Sequence, residues 1–278
     1  MPNRPRATDL LAAIMKAAVP IRTQFRKPQS RILKEDGSPV TDVDMAVHES
    51  LLAWSKEQGL GYVGEEGNGD TDKEYILYVD PLDGTSSFSA GIPTVTVAAS
   101  IMKRYEFDYY SPLLSAIYEP LTEWFWTTHR YGAPWVVNNH ERVLQFVDTK
   151  AEQQLITSIC PPGPLRHLRS VRDAINAKQP TLKHQACGSL ALCGGLIASG
   201  MTHGLIFAGG SAAETAAMIP IVRGAGGMAT DLDGEHLYRF ALGHHKGKVD
   251  FILPNGAIFS NGPALHRTLV ELVAAQQP

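Results

Sequence analysis

The apolar positions divide the chain into a first half where helices precede a run of strands and a second half where strands and helices alternate. Thr8-Asp9 stands ahead of Leu10, Leu11, Ile14, Met15 and Ala18, whose spacing predicts a helix kinked or ended by Pro20. A turn cluster, Lys34-Glu35-Asp36-Gly37-Ser38-Pro39-Val40, leads to Thr41, a good N-cap, and to a second helix through Met45, Val47, Leu51, Leu52 and Trp54. Gly61 to Gly67 reads as a short strand that ends on Glu65 and Glu66. Tyr75-Ile76-Leu77-Tyr78-Val79 predicts a buried strand, halted at Asp80-Pro81 because proline cannot donate to a ladder. Phe88 to Pro93 forms a bend, and Thr94 to Ile101 alternates as a strand. Leu114–Tyr118 and Glu123–Thr128 form antiparallel partners across Glu119-Pro120, and Trp135 to Asn139 adds a short strand and turn.

The polar stretch from Asn138 to Gln154 marks a boundary, giving an N-terminal half, 1–145, and a C-terminal half, 146–278. Beyond it Leu155–Ile159, Leu182–His184 and Leu205–Phe207 read as strands. They alternate with helical stretches at Leu165–Ala177, Ser189–Ser199 and Ala212–Gly224, the last in spite of Pro220. Late strands follow at Asp250–Leu253 and Ala257–Ser260, and Pro263 to Ala275 closes the chain as a helix. The pattern predicts an α+β protein with an antiparallel-sheet N-terminal half and an α/β C-terminal half.

Composition narrows the function classes. A hydrophobic content of 44%, 19% charged residues and a net charge of −3 describe a globular chain with no electrostatic attraction for nucleic acid or an anionic membrane. No apolar run approaches a membrane span, and the N-terminus shows no signal peptide. Cys160, Cys187 and Cys193 lack CxxC spacing and read as buried thiols in a reducing compartment, so a cytoplasmic location is expected.

Chemistry concentrates at Asp80-Pro81-Leu82-Asp83-Gly84-Thr85. Two acids at a strand end can hold a hard, oxygen-loving cation such as Mg²⁺, and the N–H groups of Gly84 and Thr85 can hold a phosphate. Pro, Asp and Gly are also ordinary turn residues. On this stretch alone both readings stand. Asp44, Glu65 and Glu214 supply further carboxylates at strand ends or helix starts, where side chains from different elements converge. For Asp44 the helix dipole is a sufficient structural reason, as it is for Asp42.

Taken together these segments resemble the inositol monophosphatase family of metal-dependent phosphatases. The resembling residues are Ser38-Pro39-Val40-Thr41 with Asp44, Gly64-Glu65-Glu66, Asp80 to Thr85 followed by Phe88, Gly91 and Pro93, Gly188-Ser189, Gly226-Gly227, and Asn261-Gly262-Pro263. The resemblance implies a layered α/β/α/β/α sandwich and two or three Mg²⁺ ions. It implies that Glu65, Asp80 and the Leu82 carbonyl hold a first ion, and Asp80, Asp83 and Glu214 a second. Asp44 would bond Thr85, and Thr85 with Glu65 would orient a metal-activated water. Gly84 and Thr85 would grip the phosphate of a small metabolite by their N–H groups, and Gly188, Ser189 and Phe207 would border the substrate. A homodimer is also implied.

Three departures qualify the resemblance. Ala213-Glu214 stands where the family carries Trp-Asp, so the carboxylate gains a methylene; distant fructose-1,6-bisphosphatases carry Glu there. Phe207 stands where inositol-specific members place an acid, which argues against myo-inositol phosphate. Ser87 replaces an Asn. The substrate stays open, with 3′-phosphoadenosine 5′-phosphate and histidinol phosphate as alternatives within phosphatases, and a catalytically weak regulatory or scaffold protein as the alternative outside them. His244-His245-Lys246 reads as a surface loop, Lys34 as a solvated turn residue, and Trp124 with Trp126 as packing on one strand face.

Overall fold

The computed structural model describes residues 6–28, 30–33, 39–129, 135–138, 141–142, 154–159, 173, 182–185, 187–209, 212–245, 248–253 and 256–276. In chain order the helices are α1 (Ala7–Ala17), α2 (Val19–Gln24), α3 (Asp42–Glu57), α4 (Thr85–Ser89), α5 (Leu190–Ala198), α6 (Ala212–Gly224) and α7 (Pro263–Ala274). The strands are β1 (Arg31–Leu33), β2 (Pro39–Thr41), β3 (Gly61–Gly64), β4 (Gly67–Asn68), β5 (Tyr75–Asp83), β6 (Thr96–Glu106), β7 (Tyr109–Glu119), β8 (Trp124–His129), β9 (Trp135–Asn138), β10 (Glu141–Arg142), β11 (Gln154–Ile159), β12 (Leu182–Gln185), β13 (Gly204–Ala208), β14 (Met228–Thr230), β15 (Phe240–His245), β16 (Lys248–Ile252) and β17 (Gly256–Ser260). The expected helix at Leu165–Ala177, Lys34 and Cys160 lie outside the described residues, apart from Asp173 in that stretch.

Alternation along β5 sets the layers. Leu77 and Val79 face α1 and α3, packing with Leu10, Ile14, Val47 and Leu51. Ile76 and Tyr78 face the other way, onto α5 and α6. The far side of that helical pair meets Leu205, Phe207 and Phe259 of the second sheet. The outer face of the second sheet, Ile156, Ile206 and Ile258, is covered by Leu265, Leu269 and Val273 of α7. The result is the expected α/β/α/β/α stack. The first sheet runs β10-β9-β8-β7-β6-β5-β3-β4 and the second β12-β11-β13-β17-β14. Pairing is antiparallel in the first except for β3 with β5, and parallel in the second where β11 meets β12 and β13.

Between two sheets a helix must be apolar all round. In α6 every residue from Ala212 to Val222 is buried. Pro220 inside it cannot donate to the Ala216 carbonyl, and Ser115 Oγ of β7 donates to that carbonyl at 3.4 Å instead. The helix that carries Glu214 is thereby tied to the first sheet through the bond its own proline leaves unmade. Trp126 fills the groove beside it with its ring against Gly195, and its Nε1 donates to Ser199 Oγ at 2.7 Å. Trp124 and Trp126 do share a packing face, with ring centroids 5.9 Å apart.

Three expectations change. The strand expected to stop at Asp80-Pro81 runs on to Asp83, because a bulge lets Asp80 pair with Ala98 and Asp83 with Thr96. Pro81 sits in that bulge, where no ladder donor is asked of it. The strands placed at Thr94–Ile101 and Leu114–Tyr118 are the inner parts of a longer hairpin, β6 to Glu106 and β7 from Tyr109, whose polar and aromatic outer end carries no apolar alternation. His244 and His245 lie in a hairpin, β15 with β16, and not in a loop. Phe240 and Ala241 of that hairpin pair with Tyr110 and Tyr109 of the first sheet. The C-terminal half thus returns to the sheet of the N-terminal half, and packing does not respect a division at residue 145. No helix among the described residues is long and apolar enough to cross a membrane.

Candidate metal centre

The bulge in β5 turns two carboxylates toward the start of α6. Leu82 N–H donates back to Asp80 Oδ1 at 2.9 Å and closes the tight turn. Carboxylate oxygens of Asp80, Asp83 and Glu214 all lie within 4.8 Å of one another, and all three side chains are buried. Glu214 arrives from the first turn of α6, where the helix dipole favours an acid.

Asp80 and Asp83 are held differently. Asp83 Oδ2 accepts Ser189 Oγ at 2.5 Å, the Ala191 N–H at 2.7 Å and Thr96 Oγ1 at 3.1 Å, while Oδ1 accepts the Leu190 N–H at 3.1 Å. It therefore satisfies the N-terminus of α5. Charge-assisted bonds of this kind contribute roughly 1.5–3 kcal/mol each, yet burial outweighs them and holds the Asp83 carboxyl above its ordinary range. Asp80 has one donor and three acids around it. Burial, and then repulsion from Glu65, Glu214 and Asp83, drive it well above the carboxylate range. Three buried acids with oxygen donors alone and a pushed-up carboxyl fit a hard divalent cation, which would relieve that repulsion.

Glu65 stands outside this trio. It is exposed in the β3–β4 turn, with its N–H on the Val79 carbonyl at 3.2 Å. It acts on Asp80 as the second cause of that group's raised value. Asn68 holds the turn, accepting the Gly64 N–H at 3.2 Å and donating to the Val249 carbonyl at 2.7 Å.

Asp44 is buried at the third position of α3, and both reasons for its presence hold at once. Its Oδ2 accepts the Thr41 N–H at 2.8 Å as half of a capping box, and its Oδ1 accepts Thr85 Oγ1 at 2.9 Å. Burial raises its carboxyl. The Thr85 hydroxyl also reaches the Leu82 carbonyl at 2.9 Å. One hydroxyl proton serves one of these acceptors at a time. Gly84, at φ 93°, turns the chain between Asp83 and α4, and a Cβ there would meet the Thr94 carbonyl at 2.7 Å. The first N–H groups of α4, following Gly84, have no carbonyl within their own helix to bond.

The structure brings Asp44, Leu82, Asp83, Gly84, Thr85 and Glu214 to one locality around Asp80, with Glu65 at its rim. It also changes two expectations for substrate contacts. Ser189 is fully buried, its hydroxyl committed to Asp83 and accepting the Leu192 N–H at 3.1 Å as the N-cap of α5. Phe207 is buried in the core, stacked on Phe259 at 6.3 Å, because alternation in β13 points it at the helical layer. Neither side chain borders an open surface. Gly188 is exposed, and its carbonyl accepts Ser87 Oγ at 3.4 Å. Sequence reasoning missed Thr96, Asn68 and the Tyr78 hydroxyl, which donates to Asp250 Oδ1 at 2.7 Å and so ties β16 to β5. Thr96 and Asn68 carry no local signal, since their partners lie in distant segments.

Residues 5–277 match the model of the inositol monophosphatase family. The chain belongs to that family. Over 274 residues it is 27% identical to an inositol-1-monophosphatase of Mesorhizobium japonicum, covering 95% of this chain and 94% of the relative. Over 259 residues it is 26% identical to a 3′(2′),5′-bisphosphate nucleotidase of Aggregatibacter actinomycetemcomitans, covering 89% and 90%. Its fold is similar to that of the extragenic suppressor protein suhB from Bartonella henselae, with a TM-score of 0.77, 22% identity and coverage of 95% and 96%. As an inositol monophosphatase family member the protein is a phosphoric monoester hydrolase acting on phosphorylated metabolites, and the family is metal-dependent.

Proposed function

We propose that this protein hydrolyses the phosphate monoester of a small metabolite other than myo-inositol phosphate, using Mg²⁺ held by Asp80, Asp83 and Glu214. The observation that carries the reading is the approach of three buried carboxylates within 4.8 Å. Glu65 and the Leu82 carbonyl complete the donor set, enough for two or three ions. When bound, Mg²⁺ supplies a more acidic water and neutralises phosphate charge. The Thr85 hydroxyl can donate to Asp44 Oδ1 or to the Leu82 carbonyl, each at 2.9 Å; were that carbonyl to hold a cation, the proton would stay on the Asp44 side and the Thr85 oxygen would be left to accept a hydrogen bond from water. Asp44, fixed by the capping box, holds that proton in place. The N–H groups of Gly84 and Thr85 orient the phosphate.

The substrate reading rests on β13. Phe207 stands at the position where inositol-specific relatives place an acid, and it is turned into the core, so that position supplies no carboxylate to sugar hydroxyls. Relatives of comparable identity carry inositol-monophosphatase and bisphosphate-nucleotidase names, which keeps nucleoside bisphosphates among the substrates to assay; histidinol phosphate belongs in the same panel. We also infer a cytoplasmic homodimer, from family resemblance and reduced thiols, which sedimentation would check.

Phosphate release from a panel of phosphorylated metabolites, with Mg²⁺ and with chelator, tests the reading. Release is expected only with Mg²⁺ and to be lost in Asp80→Asn. Mg²⁺-dependent ligand binding with no turnover on any member would instead favour a regulatory protein.

A further inference from the structure

The start of α5 holds a pair of thiols that the hydrolytic reading does not use. Cys187 Sγ donates to the Ser189 carbonyl at 3.0 Å, and Cys193 Sγ donates to the same oxygen at 3.3 Å. The two sulfurs converge on one oxygen, and the Cys193 proton serves either that oxygen or the Cys187 sulfur at one time. Cys187 is only partly buried, whereas Cys193 is buried one turn into the helix. The hydrogen bond to Cys193 holds the Cys187 thiol below its ordinary value, against the opposing effects of burial, Asp83 and Glu119. A partly exposed, activated thiol beside a buried second thiol is the arrangement of an attacking and a resolving cysteine.

We propose that Cys187 and Cys193 form an oxidation site at which hydrogen peroxide produces an intramolecular disulfide, loosening the helix start that holds Asp83. The Cys187 thiolate attacks one peroxide oxygen, the O–O bond breaks, and the departing hydroxide takes the thiol proton as water. Cys187 is now a sulfenic acid. The Cys193 sulfur attacks the Cys187 sulfur, the S–S bond forms, the S–OH bond breaks, and hydroxide leaves with the Cys193 proton as a second water. Two thiols and one peroxide become one disulfide and two waters.

Closing the S–S bond removes both S–H donors from the Ser189 carbonyl. Ser189 is the N-cap of α5 and donates its hydroxyl to Asp83, and the next two N–H groups, of Leu190 and Ala191, also bind Asp83. Strain at position 187 or 193 therefore reaches the metal centre through adjacent residues. Supporting groups of this kind change metal affinity by about 10–100-fold when lost. This consequence, though not the oxidation itself, rests on the proposed Mg²⁺ site.

The test uses the full chain, reduced and then treated with hydrogen peroxide, followed by alkylation and peptide mass analysis. The expected peptide spanning Cys187 and Cys193 is unalkylated and lighter by two hydrogens, and dithiothreitol restores both thiols. In Cys193→Ser a sulfenic acid on Cys187 is trapped by dimedone. Oxidised wild-type protein is expected to need about tenfold more Mg²⁺ for half-maximal thermal stabilisation, with Cys187→Ser insensitive to peroxide. Full alkylation of both thiols after peroxide, or a disulfide to Cys160, overturns the proposal. An unchanged Mg²⁺ response in protein shown by mass to carry the disulfide overturns its link to Asp83. If reduced protein shows no Mg²⁺ stabilisation at all, the metal reading fails while the mass result still decides the disulfide.

Discussion

Asp80 and Asp83 sit three residues apart in one bulged strand, both buried, in opposite surroundings. Around Asp83 the fold supplies two backbone N–H groups and two hydroxyls, so the carboxylate is part of the architecture that joins β5 to α5. Around Asp80 the fold supplies one N–H among the described residues and three competing acids, so burial and repulsion disfavour its charge. The difference teaches that one short motif combines an anchor and a repelled acid. The anchor positions the second wall of the centre, and the repulsion at Asp80 is what the proposed cation would relieve.

The largest expected effect separates activity from stability at Asp80. Asp80→Asn is expected to lower kcat/KM by about 100-fold or more and yet raise the melting temperature of chelated protein, because a repelled charge is gone. A lower melting temperature than chelated wild type would show that Asp80 is an anchor after all. Asp83→Ala is expected to behave in reverse, losing on the order of 3 kcal/mol with or without Mg²⁺. For a chain of this size that is a fall of about 6–12 °C, read by calorimetry. Glu214→Gln keeps the shape of the centre and is expected to raise the Mg²⁺ needed for half-maximal activity about tenfold; an unchanged requirement would remove Glu214 from the ligand set.

The smallest effect is on the pH dependence of stability, where two regions carry opposite signs. In chelated protein the raised Asp80 value means that stability is complete below the ordinary carboxylate range and is lost as pH rises through the elevated value. Mg²⁺ or Asp80→Asn should flatten that slope. At the far end of the second sheet His266 lies between Thr230 Oγ1 and Ser260 Oγ, each at 3.0 Å, and burial lowers it to about 4. Its contribution is present above the unfolded value of about 6.5 and is lost as pH falls toward 4. His266→Gln should reduce only the acid-side loss in denaturant titrations at graded pH.

What the chain determines by itself is local: α3 with its Thr41 cap, the apolar strand β5, the Asp80–Thr85 turn, and the family to which they point. These depend on spacing, capping and turn chemistry, which act over a few residues. Tertiary structure decided the rest. Whether a β5 acid becomes an anchor or a repelled acid depends on α5 and α6, more than a hundred residues downstream. The continuation of β5 past Pro81 depends on its partner β6, and the return of β15 to the first sheet depends on the outer end of β7, at Tyr109 and Tyr110, before its pairing with β8 begins. Phe207 and Ser189 bear residue types that suit a pocket wall, but burial turned one into core and the other into a helix cap. Long-range pairing and burial are properties of the assembled layers, so no window of sequence contains them.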